Sequence, residues 1–465
     1  MKRAVLLAVV VPSLAFAQAL PRPVREALRQ AHVPADAVAI VVQGVDATRP
    51  ALAYRAAEPV NPASVMKIVT SVAAFDLLGP AFRFHTDVFA RGDLKDGVLA
   101  GDLVIRGGGD PKLTYERLWQ LAHQLRARGV REIRGDVILD RSYFAPIAPD
   151  AGRFDGEPRR AYNVTPDALL VNYQAVDFRF VPDGDRVRVM PEPDFPGLQV
   201  ASRLKVVSAP CGAWRRGVSY DFQDSGPSAT VAFSGEYPAE CGERTWPLAF
   251  LDPQRYFESA FRWVWGEAGG RITGRFRMDA TPATAWQLLR FESEPLPALV
   301  RDMNKFSNNV MARHLFLALS AEQAGTGDAR ASAAIVRAWL ASRHIDDTPL
   351  TLENGSGLSR EERASASLIA HVLADAWRSP FMPELAASFP LLGVDGTLKS
   401  HPRSSQGGAH LKGGTLTGVQ GAAGYVLDDS GRRWIVVMLM NHPNANAAGA
   451  AIDALVQWVV AGRPR

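Results

Sequence analysis

From Asp93 to Thr281 short stretches alternate apolar and polar residues, among them DLVIRG, GDVILD, VDFRFV, DRVRVM and ATVAFS, with turn formers such as Pro182-Asp183-Gly184 between them. Alternation at a period of two marks half-buried strands, and turn residues at these intervals mark hairpins. On either side the pattern changes. Ahead of the run, AVAIVV (Ala37 to Val42) reads as a buried strand and Asn61 to Leu78 as a helix, with Asn61 suited to the N-cap, Pro62 to the first helical position and Gly79-Pro80 to the stop. From about Thr281 helical periodicity returns in TAWQLLRFESEPLPALVRDMNK, NNVMARHLFLALSAE, DARASAAIVRAWLASR and ASASLIAHVLADAW. Strands then follow around AHLKGGTL, GAAGYVLDD and RRWIVVMLMNH, and AAGAAIDALVQWVV forms a closing helix. The economical organisation is one α/β unit assembled from residues 18–92 and 282–465 and interrupted by a β-rich insert, 93–281, holding two nested subdomains. No repeat of 20–50 residues points to a solenoid.

The chain opens MKRAVLLAVVVPSLAFAQAL, with Lys2 and Arg3, an apolar run and Ala15-Phe16-Ala17 as a small-x-small cleavage site. These are the three parts of a secretory signal. The apolar run is too short to cross a bilayer, so removal of residues 1–17 is expected to release an exported, periplasmic or secreted chain with no transmembrane anchor. The formal charge is +4, of which Lys2 and Arg3 supply two, and that small excess gives no reason to expect a nucleic-acid partner. After export Cys211 and Cys241 meet an oxidising compartment, and two cysteines alone favour a disulfide over a metal site.

Within the first helix, NPASVMKIVT sets Lys67 three residues after Ser64. On a helix Ser64, Lys67 and Ser71 share a stripe, while Val65, Met66, Ile68, Val69, Val72 and Phe75 surround it. A helix apolar on most sides is buried, and an ammonium buried there must find partners or lose its proton. A shift from 10.4 to near neutrality is about 3 pKa units, roughly 4 kcal/mol, which burial can supply. Lys67 would then be a base facing a hydroxyl. Taken alone, S-x-x-K is weak: Ser202-Arg203-Leu204-Lys205 matches it inside a strand-rich stretch, and a lone lysine on an apolar helix ordinarily snorkels to water.

Two more motifs follow. Ser307-Asn308-Asn309 stands at the turn before a predicted helix, where a plain N-cap is the bland explanation. Lys412-Gly413-Gly414-Thr415 lies in a predicted strand, where a lysine on an edge discourages unwanted pairing. Together, in the order S-x-x-K, S-x-N, K-x-G, they resemble the signature of the penicillin-interacting serine peptidases. More narrowly, the chain is similar to the D-alanyl-D-alanine carboxypeptidase/endopeptidase family S13, the class C low-molecular-mass penicillin-binding proteins. That family has a large insertion between the first two motifs, here 307 − 64 = 243 residues apart. IRGGGDPKLT, ENGSGLSR, GVDGTL and GTLTGVQGAAGYV also look like family segments.

The resemblance implies an antiparallel sheet flanked by helices, as in penicillin-binding proteins and serine β-lactamases, with the insert added. It implies that Ser64 attacks the carbonyl between two D-alanines of a peptidoglycan stem peptide while Lys67 takes its proton. Ser307, Asn309 and Lys412 would pass a proton to the leaving amine and orient the substrate. The backbone N–H groups of Ser64 and Thr415 would hold the oxyanion, β-lactams would acylate Ser64, and neither cofactor nor metal is called for. One departure stands out within the expected substrate-binding and oxyanion segment of Gly413, Gly414, Thr415 and Thr417: the family has threonine or serine where this chain has Gly413, so a hydroxyl that would meet the terminal carboxylate is absent, with Thr415 or Thr417 as its substitute. That leaves a second expectation, a catalytically weak envelope binding or scaffolding protein that keeps the fold. A β-lactamase fits less well, because no separate deacylation base is identifiable.

Other features are weaker. Gly107-Gly108-Gly109-Asp110-Pro111 lacks the lysine and hydroxyl of a phosphate loop and reads as a tight turn. Asn354-Gly355-Ser356-Gly357 reads as a loop lining the cleft, with Arg360 a candidate substrate contact; Asp155 and Glu157 fall where the resemblance implies contact with the peptide's amino side chain, but read more simply as an ordinary solvated loop.

Overall fold

The structure is a computed structural model that describes residues 19–148, 151–225, 228–250, 252–402 and 408–464. The signal segment expected over residues 1–17 lies outside the described residues. Among those described, the strands form three sheets.

The first sheet joins the two ends of the chain. Its order is Ala409–Leu416, Val419–Leu427, Arg433–Asn441, Val38–Gly44, Leu52–Tyr54, all antiparallel, and Val38 sits opposite Met440. The strand VAIVVQG is buried along nearly its whole length because helices cover both faces. Val38, Ile40 and Val42 point to a core shared with helices Arg22–Gln30 and Gly449–Val460, whereas Ala39 and Val41 point to helices Lys67–Leu78, Asn309–Ala324 and Ala366–Trp377. The expected antiparallel sheet flanked by helices is therefore present.

The second sheet contains His85–Lys95, Val98–Gly107 and Trp286–Glu292 together with short strands from residues 132–140 and 271–278. The third has the order Val218–Ser225, Ser228–Pro238, Leu198–Val207, Arg186–Glu192, Ala175–Asp183, Arg244–Ala249. It curls strongly: Tyr220 on one edge strand meets Trp246 on the other, ring centroids 5.4 Å apart. Helices Tyr115–Ala127 and Pro253–Glu267 share one apolar core with these two sheets. Cys211 and Cys241 are joined as a disulfide, as expected from an oxidised pair.

Two sequence expectations need correction. TAWQLLRF was read as helical, yet Trp286–Glu292 is a strand antiparallel to His85–Lys95 with a bulge between Gln287 and Leu289. Leu289 and Phe291 are buried while Arg290 is exposed, a period-two pattern too short to be separated from a helical one by sequence alone. The helix begins only at Leu296–Lys305, opened by a proline in its first turn. The helix expected over residues 61–78 also starts later: Ala63–Met66 is a 3-10 turn and the α-helix is Lys67–Leu78. Asn61 Oδ1 accepts from the Ala63 N–H at 2.9 Å, and Ala63 takes φ +48°, so Asn61 shapes a turn ahead of the helix instead of capping it.

Candidate active site

The delayed helix start aims Ser64 and Lys67 at one another. Lys67 is the first residue of the α-helix and is fully buried, as are its neighbours through Phe75. Its Nζ lies 3.0 Å from Ser64 Oγ, 2.6 Å from Asn309 Oδ1 and 2.5 Å from the Ser356 carbonyl oxygen. Burial drives the pKa of Lys67 well below its ordinary value, Lys412 and Arg313 push it the same way, and the Glu362 carboxylate opposes them.

Two glycines allow the backbone to close around the serine. A Cβ on Gly414 would stand 2.9 Å from the Ser64 nitrogen, so only glycine lets the edge strand Ala409–Leu416 lie against the serine turn. A Cβ on Gly357, at φ +78°, would fall 1.8 Å from the Ala63 oxygen, so the loop of residues 353–357 presses on the other side. Ser64 is thus clamped between a strand from the C-terminal end and a loop.

The second motif sits between helices Leu296–Lys305 and Asn309–Ala324. Asn308 caps the second of these, its Oδ1 accepting from the Met311 N–H at 3.0 Å, and this frees Asn309, in the first turn, to face Lys67. Ser307 adopts φ +54°, a conformation that serine rarely holds, and its Oγ accepts from Lys412 Nζ at 2.9 Å. Lys412 is wholly buried on the edge strand, and burial lowers its pKa to about 7. Residues from positions 64–67, 307–309, 356 and 412 therefore converge on one site. Chemically it offers a hydroxyl beside a buried amine whose pKa is driven down, and a second hydroxyl beside a second buried lysine.

The remaining candidates spread outward. Thr415 and Thr417 are exposed at the end of the edge strand, and the Thr417 carbonyl accepts from Arg360 at 3.0 Å. The Arg360 guanidinium also lies over the Phe154 ring at 4.9 Å, which brings the loop preceding Asp155 to the cleft. Asp155 is engaged by its own loop: it accepts from Tyr162 at 2.6 Å, Asn163 at 2.7 Å and the Glu157 N–H at 3.0 Å. Sequence reasoning missed the Ser356 carbonyl, Arg313 and Glu362. The glycines alternating through Asn354-Gly355-Ser356-Gly357 hint at a close backbone approach, but Glu362, in the charged run REER, looks like a solvated residue.

The fold has solved counterparts. The crystal structure of penicillin binding protein 4 (dacB) from Haemophilus influenzae superposes with a TM-score of 0.77 at 22% identity, covering 93% of this chain and 99% of that one. A predatory peptidoglycan endopeptidase from Bdellovibrio bacteriovorus superposes at 0.51 and 15% identity, covering 91% and 92%. The architecture is that of a penicillin-binding protein with an additional β-rich part. The chain belongs to the D-Ala-D-Ala carboxypeptidase 3 (S13) family, whose profile it matches over residues 20–461. It is 29% identical to a D-alanyl-D-alanine carboxypeptidase of Actinomadura sp. (strain R39) over 414 residues, 85% of this chain and 76% of that protein. It is 27% identical to the D-alanyl-D-alanine carboxypeptidase DacB of Haemophilus influenzae over 406 residues, 82% and 80%.

Proposed function

We propose that this chain is an exported serine D-Ala-D-Ala carboxypeptidase and DD-endopeptidase that acts on peptidoglycan stem peptides through a Ser64 acyl-enzyme and is inhibited by β-lactams. The arrangement around Lys67 carries the reading. Lys67 Nζ donates to Asn309 Oδ1 and the Ser356 carbonyl, which can only accept, and stands 3.0 Å from Ser64 Oγ; once the amine is neutral those two acceptors hold both its N–H bonds and its lone pair is left for the Ser64 hydroxyl.

In the first half-reaction Ser64 Oγ bonds to the substrate carbonyl carbon as its proton passes to Lys67. The negative charge that develops on the carbonyl oxygen is met by the backbone N–H groups of Ser64 and Thr415, each such donor contributing about 3 kcal/mol. The C–N bond then breaks, and the amine leaves with the proton that Lys67 took from Ser64, relayed through Ser307, whose hydroxyl is bonded to Lys412, so that Lys67 is neutral again. Water attacks the ester, its proton going to Lys67, and Ser64 is regenerated. A β-lactam enters the same first step and its ring-opened acyl group stays attached. A crystal structure of the Haemophilus protein complexed with a β-lactam has the same fold, with a TM-score of 0.73.

One observation favours a second reading. Leu398 Cδ2 lies 3.0 Å from where a Gly413 Cβ would be, so an apolar side chain stands where the family carries a hydroxyl. That suits a binding protein with weak turnover of free D-alanine termini. Incubation with fluorescent penicillin tests the first reading: wild type is expected to label and Ser64→Ala not, and an unlabelled wild type rejects the acyl-enzyme. Stem pentapeptide and cross-linked dimer then separate the two readings, because a protein that labels but hydrolyses neither is a binder.

A further inference from the structure

The loop that fixes Lys67 is itself gathered around a carboxylate. Glu362 is fully buried, and its carboxylate accepts four backbone N–H bonds from that loop. Oε1 takes those of Glu353 at 3.1 Å, Asn354 at 2.9 Å and Gly355 at 2.8 Å, and Oε2 takes that of Gly357 at 2.9 Å. Residues 355–357 of this loop meet the serine turn and its helix. Between the last two donors lies Ser356, whose carbonyl receives Lys67 Nζ, and the Gly355 carbonyl accepts from Thr70 Oγ1 at 2.6 Å. Gly357 abuts Ala63 and the Ser64 nitrogen.

We propose that Glu362 is a positioning residue for the reaction: its carboxylate gathers the loop of residues 353–357 so that the Ser356 carbonyl holds the Lys67 amine against Ser64. The inference rests on the acyl-enzyme reading above. A carboxylate suits this task better than any neutral side chain, because both oxygens must accept. Glutamine would turn an NH2 group toward the N–H of Gly357 or toward those of residues 353–355, and the loop would open at one end. Burial pushes the Glu362 carboxyl above its ordinary pKa while the four backbone N–H bonds pull it back, and in the ionised form its charge has a second consequence. Lys67 is faced by Lys412 from the edge strand and Arg313 from helix Asn309–Ala324, and Glu362 is the carboxylate that opposes both. Loss of that charge makes Lys67 harder to protonate, so the pH at which acylation switches on must fall.

The test is the second-order rate of acylation by a fluorescent penicillin as a function of pH, on the full chain, with thermal unfolding recorded for each variant. Glu362→Gln is expected to acylate about 100-fold more slowly, the scale of a misplaced reacting group, and its acidic limb is expected to move to lower pH. Glu362→Asp keeps the charge but not the reach, so it should lose rate while its limb stays at the wild-type pH. Wild-type rate and limb in Glu362→Gln overturn the proposal, and so does a slower rate with an unmoved limb, which is the mark of a merely structural residue. If the Glu362 variants do not fold, Thr70→Val decides: it removes one bond to the same loop and is expected to slow acylation about tenfold, and wild-type speed there overturns the proposal. An unlabelled wild type rejects the acyl-enzyme itself, an outcome distinct from these.

Discussion

The chain carries the pattern S-x-x-K twice, in two settings. At Ser64 to Lys67 a tight turn runs into a helix, so residues three apart face the same way, and the lysine is sealed from water with its amine 3.0 Å from the hydroxyl. At Ser202 to Lys205 the backbone is the strand Leu198–Val207, where residues three apart point to opposite faces. There Ser202 Oγ donates to the Val187 carbonyl at 2.6 Å, and both Ser202 and Lys205 are exposed. The same four letters give a hydroxyl beside a sealed amine in one place, the pair proposed as nucleophile and base, and two ordinary strand residues in the other. Backbone period and burial make the chemistry.

Lys67→Ala should slow penicillin acylation by about 10,000-fold, the upper range for a proton-transfer group, whereas Lys205→Ala should leave the rate unchanged. Equal rates in the two variants would show that burial next to a serine confers nothing. Next in size is the disulfide, which lies with Lys205 in the strand-rich part. Cys211→Ser with Cys241→Ser should lower unfolding stability by roughly 3 to 4 kcal/mol while acylation of the folded fraction persists. A loss of acylation in the folded double variant would mean that the curled sheet shapes the cleft.

A third prediction concerns the tie between the two regions. His314, on the helix that carries Asn309, is fully buried: its Nε2 accepts from the Asp167 N–H at 3.3 Å and its Nδ1 donates to the Gly109 carbonyl at 2.9 Å. Burial lowers its pKa to about 4 from the usual 6.5. Between those values the unfolded chain binds a proton that the folded chain does not. The contribution is therefore whole above pH 6.5 and falls as the pH drops, by about 3 kcal/mol in all and about 2 kcal/mol by pH 5. Denaturant unfolding at pH 7 and pH 5 should show this slope in wild type, and a flatter one in His314→Gln, whose amide can make both bonds.

How much of this was legible in the sequence follows from the same contrast. The C-terminal strands and the helix carrying Asn309 could be read because their patterns are long. Trp286–Glu292 could not, since the apolar positions of a seven-residue stretch satisfy either period and its pairing with His85–Lys95 lies far away in sequence. Ser64, Lys67, Ser307, Asn309 and Lys412 announced themselves by residue type and order. Ser356 contributes only a carbonyl, which every residue has, and Glu362 acts through backbone N–H groups, so neither left a mark that sequence alone displays.

The smallest expected effect sharpens the comparison within a single strand. Gly413, Thr415 and Thr417 alternate along the edge strand and its end, so they lie on one side, and the two threonines are exposed there. Gly413→Thr would extend that row of hydroxyls by one position. Its Cβ would approach Leu398 Cδ2 at 3.0 Å, but that atom is the tip of a flexible side chain and can turn aside. Crowding of this kind costs about 1 kcal/mol or more, which the removal of a glycine from a strand interior offsets by roughly 0.5 to 1 kcal/mol, so stability should hardly change. A hydrogen bond to a carboxylate contributes about 1.5 kcal/mol or more, close to tenfold in rate. Hydrolysis of stem pentapeptide should therefore rise about tenfold relative to a cross-linked substrate whose leaving amine carries no adjacent carboxylate. An unchanged ratio would mean that the terminal carboxylate is already held elsewhere in the cleft, and that the glycine leaves substrate choice untouched.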